Sequence, residues 1–202
     1  MGLGLLLIGY FVVSIVSVNQ PLALAMPLGY AMLLSALTFL SPYERGFRIT
    51  RNVTFAALPV SVYFAVTGTG TWGIYTCPAW LTNAGLTAAA EWYYFVFVLI
   101  FHVLLLRSLA VFTGDMGLAS LRQMSWRNLM IVMIYQFIYL IFALLLPLIS
   151  DYGSLFVIPL LLLRFIYAFL NLYLFFRCYR VILPEGSDAV APERKTKKED
   201  KP

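Results

Sequence analysis

Apolar residues fill six long runs of this chain, at about 3–18, 22–40, 53–70, 92–111, 129–148 and 155–176, with polar breaks between them. Each run is near the ~20 residues that carry a helix across a hydrocarbon core, and tilt absorbs the differences. The runs are too long and too evenly apolar for barrel strands, which alternate over about 10 residues. The pattern predicts an all-α polytopic membrane protein, a bundle of six transmembrane helices over residues 1–183. Asn19-Gln20-Pro21 reads as a tight turn, 41–52 as a short polar loop, and 71–90 as the longest connection. Gly114-Asp115-Met116-Gly117 reads as another turn. After it, Leu118, Leu121 and Met124 recur at helical spacing beside Arg122, which predicts a short interfacial amphipathic helix. From residue 184 to 202 the composition is charged and almost free of large apolar side chains, as in a disordered cytoplasmic tail.

Small residues recur along two of the runs. Ala57, Ser61 and Ala65 fall at i+4 steps, as do Ala25 and Gly29, with Ala31 and Ser35 following. Such stripes let helix backbones approach closely, and packing inside the bundle is their expected use. Pro27, Pro59, Pro147 and Pro159 are expected to bend their helices and free backbone carbonyls.

Three polar side chains interrupt the runs near their middles: His102, Gln136 and Arg164. Counted from the run midpoints, they lie within about 4 Å of one plane. A guanidinium at that depth costs roughly 2.5–3.5 kcal/mol on insertion scales, so something must satisfy it. Asn171, seven residues after Arg164, falls on the same helix face, and Tyr139 follows Gln136 by three. Glu91 precedes His102 by eleven and shares its face, nearer the end of the run. With no Asp or Glu inside any run, three answers stay open for Arg164. Backbone carbonyls and neutral side chains satisfy it, or an anionic small molecule or lipid headgroup does, or it snorkels towards Asp151 or Glu91. The candidate ligand-binding set is therefore Arg164, His102, Gln136 and Asn171, set against a purely structural polar knot among the last three helices.

Charge assigns the sides. Arg45, Arg48 and Arg51 lie between the second and third runs, and Arg107, Arg122 and Arg127 around the break between the fourth and fifth. Arg177, Arg180, Arg194, Lys195, Lys197, Lys198 and Lys201 lie in or beside the tail. The alternate connections hold Glu91 and Asp151 and no basic residue. The positive-inside rule then predicts a multi-pass protein of the cell membrane with both termini cytoplasmic. Of the 14 Lys and Arg, Arg164 alone escapes that scheme. Trp72, Tyr75, Trp80, Trp92, Tyr93 and Tyr94 read as the outer aromatic belt, and Tyr43, Trp126 and Tyr179 as the inner one.

Composition narrows the function classes. The chain is 62% hydrophobic and 11% charged, against about 25% charged in soluble domains. The net charge of +5 follows the topology, so no nucleic-acid partner is implied. One His and two Cys expected on opposite faces do not make a zinc site, and no cofactor is expected. Gly68-Thr69-Gly70-Thr71-Trp72-Gly73 has the G-x-G-x-x-G spacing but no preceding strand, so it reads as a loop. No nucleophile with a positioned base is visible, and enzymatic activity is not expected. Residues 3–18 lack the basic flank of a cleavable signal, so cleavage is not expected.

In size, run count and cytoplasmic termini the chain is similar to the substrate-binding subunits of energy-coupling-factor vitamin transporters, a likeness of architecture alone. It departs from them at Asn19-Gln20, too short a turn to help cap a site, which leaves 71–90 as the candidate lid. The sequence thus supports a small transport or ligand-binding membrane component with a polar pocket around Arg164. The alternative is a non-catalytic subunit or assembly factor of a membrane complex, docking on a membrane-protein partner through its small-residue stripes.

Overall fold

The computed structural model describes residues 2–16, 24–70, 77–145 and 153–182, and every element in them is helical. In chain order these are α1 (Gly2–Ser14), α2 (Ala25–Leu40), α3 (Arg45–Phe55), α4 (Ala57–Gly70), α5 (Ala84–Asp115), α6 (Ala119–Leu145) and α7 (Gly153–Val181). A single residue, Ala56, separates α3 from α4, so the chain folds as six rods. Four are long and apolar enough to cross a membrane: Arg45–Gly68, Ala84–Asp115, Ala119–Leu145 and Phe156–Val181. The other two, α1 and α2, are apolar but only 13 and 16 residues long. At 1.5 Å per residue they reach about 20–24 Å, short of a ~30 Å hydrocarbon core. The Asn19-Gln20-Pro21 turn, Pro147 and the tail from 184 lie outside the described residues.

Three boundaries differ from the apolar pattern. The segment 41–52 is a turn followed by helix, not a loop. Glu44 is extended, with φ −152° and ψ 135°, and its carboxylate accepts from the Gly46 N–H, capping α3. Phe47, Thr50 and Thr54 recur at helical spacing and are buried, while Arg45 and Arg48 face outward. Likewise α5 begins at Ala84 rather than near 92, because Asn83 Oδ1 accepts from Gly85 N–H at 2.9 Å and the Ala-rich turns that follow propagate well. The expected interfacial helix after Gly117 is the first two turns of α6, continuous with the rest. The turn before it is as expected: Gly117 has φ +74°, where a side chain would be strained.

Pro59 explains the break between α3 and α4. It has no N–H to donate to the Phe55 carbonyl and its ring crowds that carbonyl, so the ladder fails one residue later. The Ala56 carbonyl accepts from the Tyr93 hydroxyl at 3.0 Å. Pro27 sits in the first turn of α2, where a missing N–H is tolerated, and α7 runs through Pro159 without interruption.

Packing follows the small residues. A Cβ at Gly9 would lie 3.0 Å from the Gly29 carbonyl, and one at Gly29 would lie 2.7 Å from Val13 Cγ2 and 2.9 Å from Val12 Cγ1. α1 and α2 thus touch backbone to backbone. Ala57, Ser61 and Ala65 are all buried, so the expected stripe faces inward, where α4 meets α2. The connections also gather the basic residues. Gly46 abuts Ser108, Gly114 abuts the Arg122 side chain, Gly4 abuts Tyr179, and Arg177 Nη1 points at Met124 Sδ. Arg45, Arg107, Arg122 and Arg177 therefore share one end of the bundle, and the start of α5 lies at the other.

Gly29→Val is expected to overpack the α1–α2 contact against two stiff β-branched side chains, costing about 1–3 kcal/mol. Thermal unfolding of the purified protein in mild detergent reads the effect, with Ala31→Val on the exposed face of α2 as a near-neutral control.

Candidate functional site

The end of the bundle away from the basic cluster holds a cavity of about 230 Å³. Five of the six rods meet around it at Tyr10, Phe64, Tyr94, Tyr135 and Arg164, and α2 adds Tyr30. Its deeper wall carries His102 from α5 and Gln136 from α6, and Glu91 stands one side of it on α5. Three of the four candidate residues, Arg164, His102 and Gln136, thus line one space.

Asn171 does something else. It is fully buried and does not line the cavity; its Nδ2 donates to the Tyr10 hydroxyl at 2.8 Å. That hydroxyl lies 2.9 Å from His102 Nε2, and His102 Nδ1 lies 2.8 Å from the Val98 carbonyl. His102 is buried with no carboxylate partner among the described residues, which disfavours a charged ring; a carbonyl only accepts, so the proton of the neutral ring sits on Nδ1 and Nε2 is the acceptor. Asn171 donates to Tyr10, Tyr10 to His102, and His102 to the backbone, joining α7, α1 and α5. The Tyr10 ring stands edge-on to His102 and to Phe175, at centroid distances of 5.7 and 5.0 Å. His102 is therefore a neutral, oriented wall of the cavity.

Arg164 has no such arrangement. It makes no hydrogen bond or ion pair to protein among the described residues, and its guanidinium faces the cavity. The phenols of Tyr167, Tyr94, Tyr135 and Tyr10 line the same space, and no described carboxylate lies within 4.0 Å of the guanidinium. Gln136 is only 4% exposed, yet its amide also has no hydrogen-bond partner among the described residues. Tyr135 and Tyr167, stacked obliquely at 4.8 Å, leave their hydroxyls equally uncommitted. Tyr30 instead donates to Tyr94 at 3.2 Å. The cavity thus gathers a cation, an amide and two phenols whose polar atoms have no partner among the described residues.

Apart from Tyr139, the cavity tyrosines carry no polar break in an apolar run to mark them. Tyr94, expected in an outer aromatic belt, lines the cavity instead, eight residues before His102 on α5. Tyr167 lies three after Arg164, so a search for phenols at helical spacing from the polar centres finds it, whereas Tyr135, adjacent to Gln136, escapes such a search. Tyr10 and Tyr30 carry no local signal. Of the candidate lid, Trp72 and Tyr75 lie outside the described residues, while Trp80 is 71% exposed and does not line the cavity. The connection is held down by Tyr63, whose hydroxyl donates to the Leu81 carbonyl and lies 2.9 Å from Thr87 Oγ1. Cys77 and Cys178 are both free thiols. No group of His, Cys, Asp and Glu able to hold a metal ion occurs among the described residues.

No family model, no curated protein and no solved structure matches this chain. Its function is therefore read from this site.

Tyr10→Phe would leave His102 Nε2 and Asn171 Nδ2 buried without partners, and is expected to cost about 2–4 kcal/mol of stability, at one to two per orphaned group. Tyr139→Phe, on a half-exposed ring with no hydrogen bond among the described residues, is expected to change stability by less than about 0.5 kcal/mol. Unfolding midpoints of the two variants in the same detergent check this.

Proposed function

We propose that this chain is a six-span membrane protein that binds a small anionic molecule in the Arg164 cavity, as the binding component of a transport or sensing process. One observation supports the reading: a guanidinium in mid-bundle that lines a cavity and has no partner for its charge among the described residues, which do not include Asp151. Proteins that retain a buried charge for structure pair it and saturate its hydrogen bonds, because an unpaired one costs several kcal/mol. Here the five N–H donors of Arg164 are left for something that enters. Gln136 and the free phenols of Tyr135 and Tyr167 add neutral donors suited to carboxylate or phosphate oxygens. A 150 Å³ cavity holds benzene, so 230 Å³ suits a molecule, or one end of a molecule, on the order of ten heavy atoms.

The threading behind this reading has both termini in the cytoplasm. It rests on the basic residues gathered at one end of the bundle and on the positive-inside rule. The short described lengths of α1 and α2 fit tight mutual packing near the cavity mouth. On that threading the cavity opens away from the cytoplasm.

Arg164→Met tests the role of the charge. Methionine keeps much of the length and removes a charge that has no partner, so the ligand-free variant is expected to unfold at the same temperature as the parent or higher. A structural knot would instead lose about 3–5 kcal/mol, and that outcome would sink the binding reading. The topology has its own check. A membrane-impermeant maleimide is expected to label Cys77 in intact cells, with Cys178 protected by full burial; labelling of Cys77 only in inverted vesicles would reverse the orientation.

A further inference from the structure

The cavity contains a second charge whose position bears on the ligand's chemistry. Glu91 lines it together with Arg164. The two do not pair: no carboxylate–guanidinium contact within 4.0 Å joins them, or any other described residues. Tyr94, which lines the same cavity, lies three residues deeper on α5 than Glu91, which sets the carboxylate about 4–5 Å further out along that helix. The lining also includes Phe64, Phe95 and Phe101.

Opposite charges lining one largely aromatic space, neither in an ion pair with a described residue, are poorly suited to a plain anion. A carboxylate bound at Arg164 would feel the Glu91 charge as repulsion, reduced by solvent at the exposed Glu91 but not abolished. A ligand carrying an ammonium a few ångströms from its anionic group turns that repulsion into attraction. The faces of Tyr94 and Phe95 add a favourable field for the cation. Resting on the anion-binding reading above, we infer that the ligand is a zwitterion of about ten heavy atoms, with an apolar body and its ammonium and anionic groups close together. Its anionic group meets Arg164 and Gln136, its ammonium meets Glu91 near the mouth, and its apolar body packs on the phenylalanines. The amino-acid pattern, a carboxylate and an ammonium on one carbon, bridges a separation of up to roughly 8 Å, with a hydrogen bond of about 2.8 Å at each end and about 3 Å between the charges.

Three probes that differ only in charge test this: L-phenylalanine, 3-phenylpropionate and phenethylamine. Binding is measured by equilibrium dialysis on the full chain in mild detergent. The unmodified protein is expected to bind L-phenylalanine at least about tenfold more tightly than either single-charge analogue, a difference of about 1.4 kcal/mol. In Glu91→Gln the zwitterion is expected to weaken and 3-phenylpropionate to strengthen until the two agree within about threefold, as an ion pair and a repulsion are removed together. Arg164→Met is expected to abolish binding of both carboxylates. Glu91 is exposed, so its variant is structurally mild, and the comparison of probes on the unmodified protein needs no variant at all. If 3-phenylpropionate binds as tightly as L-phenylalanine and Arg164→Met removes it, the zwitterion inference falls while anion binding stands. If no probe carrying a carboxylate binds, or Arg164→Met leaves such binding intact, both fall.

Discussion

In an apolar bundle each polar atom must find its partner inside the protein, and the rest of this structure is arranged around that requirement. The buried hydroxyls meet it locally. Thr50, Thr54, Ser108, Thr113 and Ser125 each donate to the carbonyl four residues earlier on their own helix, at 2.6–2.9 Å. The longer polar side chains meet it between helices. Asn128 Nδ2 donates to the Leu170 carbonyl at 2.9 Å, and the Asn171–Tyr10–His102–Val98 relay ties three rods together. Two carbonyl oxygens, Asn128 Oδ1 and Asn171 Oδ1, stay buried and unpaired. Each is a neutral acceptor whose amide nitrogen is satisfied, so the residual penalty is modest beside that of an unpaired charge.

Tyr10 is where packing and polar satisfaction meet. Its hydroxyl reaches His102 and Asn171 only because α1 lies deep against its neighbours, and α1 lies there because Gly9 and Gly29 remove the side chains that would hold α1 and α2 apart. A change at either glycine therefore acts on the cavity wall without touching it. It shifts Tyr10, frees His102 to turn, and leaves Asn171 with neither end bonded.

The rods and their charged end were legible in the sequence because both follow from composition over twenty-residue windows. The polar centres His102, Gln136 and Arg164 were legible for the same reason, since a lone polar residue in an apolar run is conspicuous. Two kinds of feature were not. Helix continuing beyond an apolar run, as in α3 and the first turns of α5, is set by the caps Glu44 and Asn83 and by backbone propensity, to which hydropathy is blind. Contacts between distant segments were the other. Tyr10 meets His102 across 92 residues and Asn171 across 161, and no local spacing encodes such a meeting. Asn171 shares a helix face with Arg164 but lies about two turns further along α7, where it reaches the cavity only through the Tyr10 hydroxyl.

The contrast between His102 and Arg164 separates a polar group satisfied by its own protein from one with no partner among the described residues. Both sit mid-helix and both line the same cavity. His102 has both ring nitrogens engaged by its own protein and is held edge-on by Tyr10, Phe101 and Tyr167. Its polar capacity is spent, and what it offers a ligand is a shaped wall. Arg164 has more donors than any other side chain and spends none on a described residue. A carboxylate was within the reach of ordinary substitution, since a Glu or Asp in place of Tyr135 or Tyr167 would line the same cavity as Arg164. Phenols occupy those positions instead. They offer a weakly polar rim that does not neutralise the guanidinium, and so keep its field available to whatever enters.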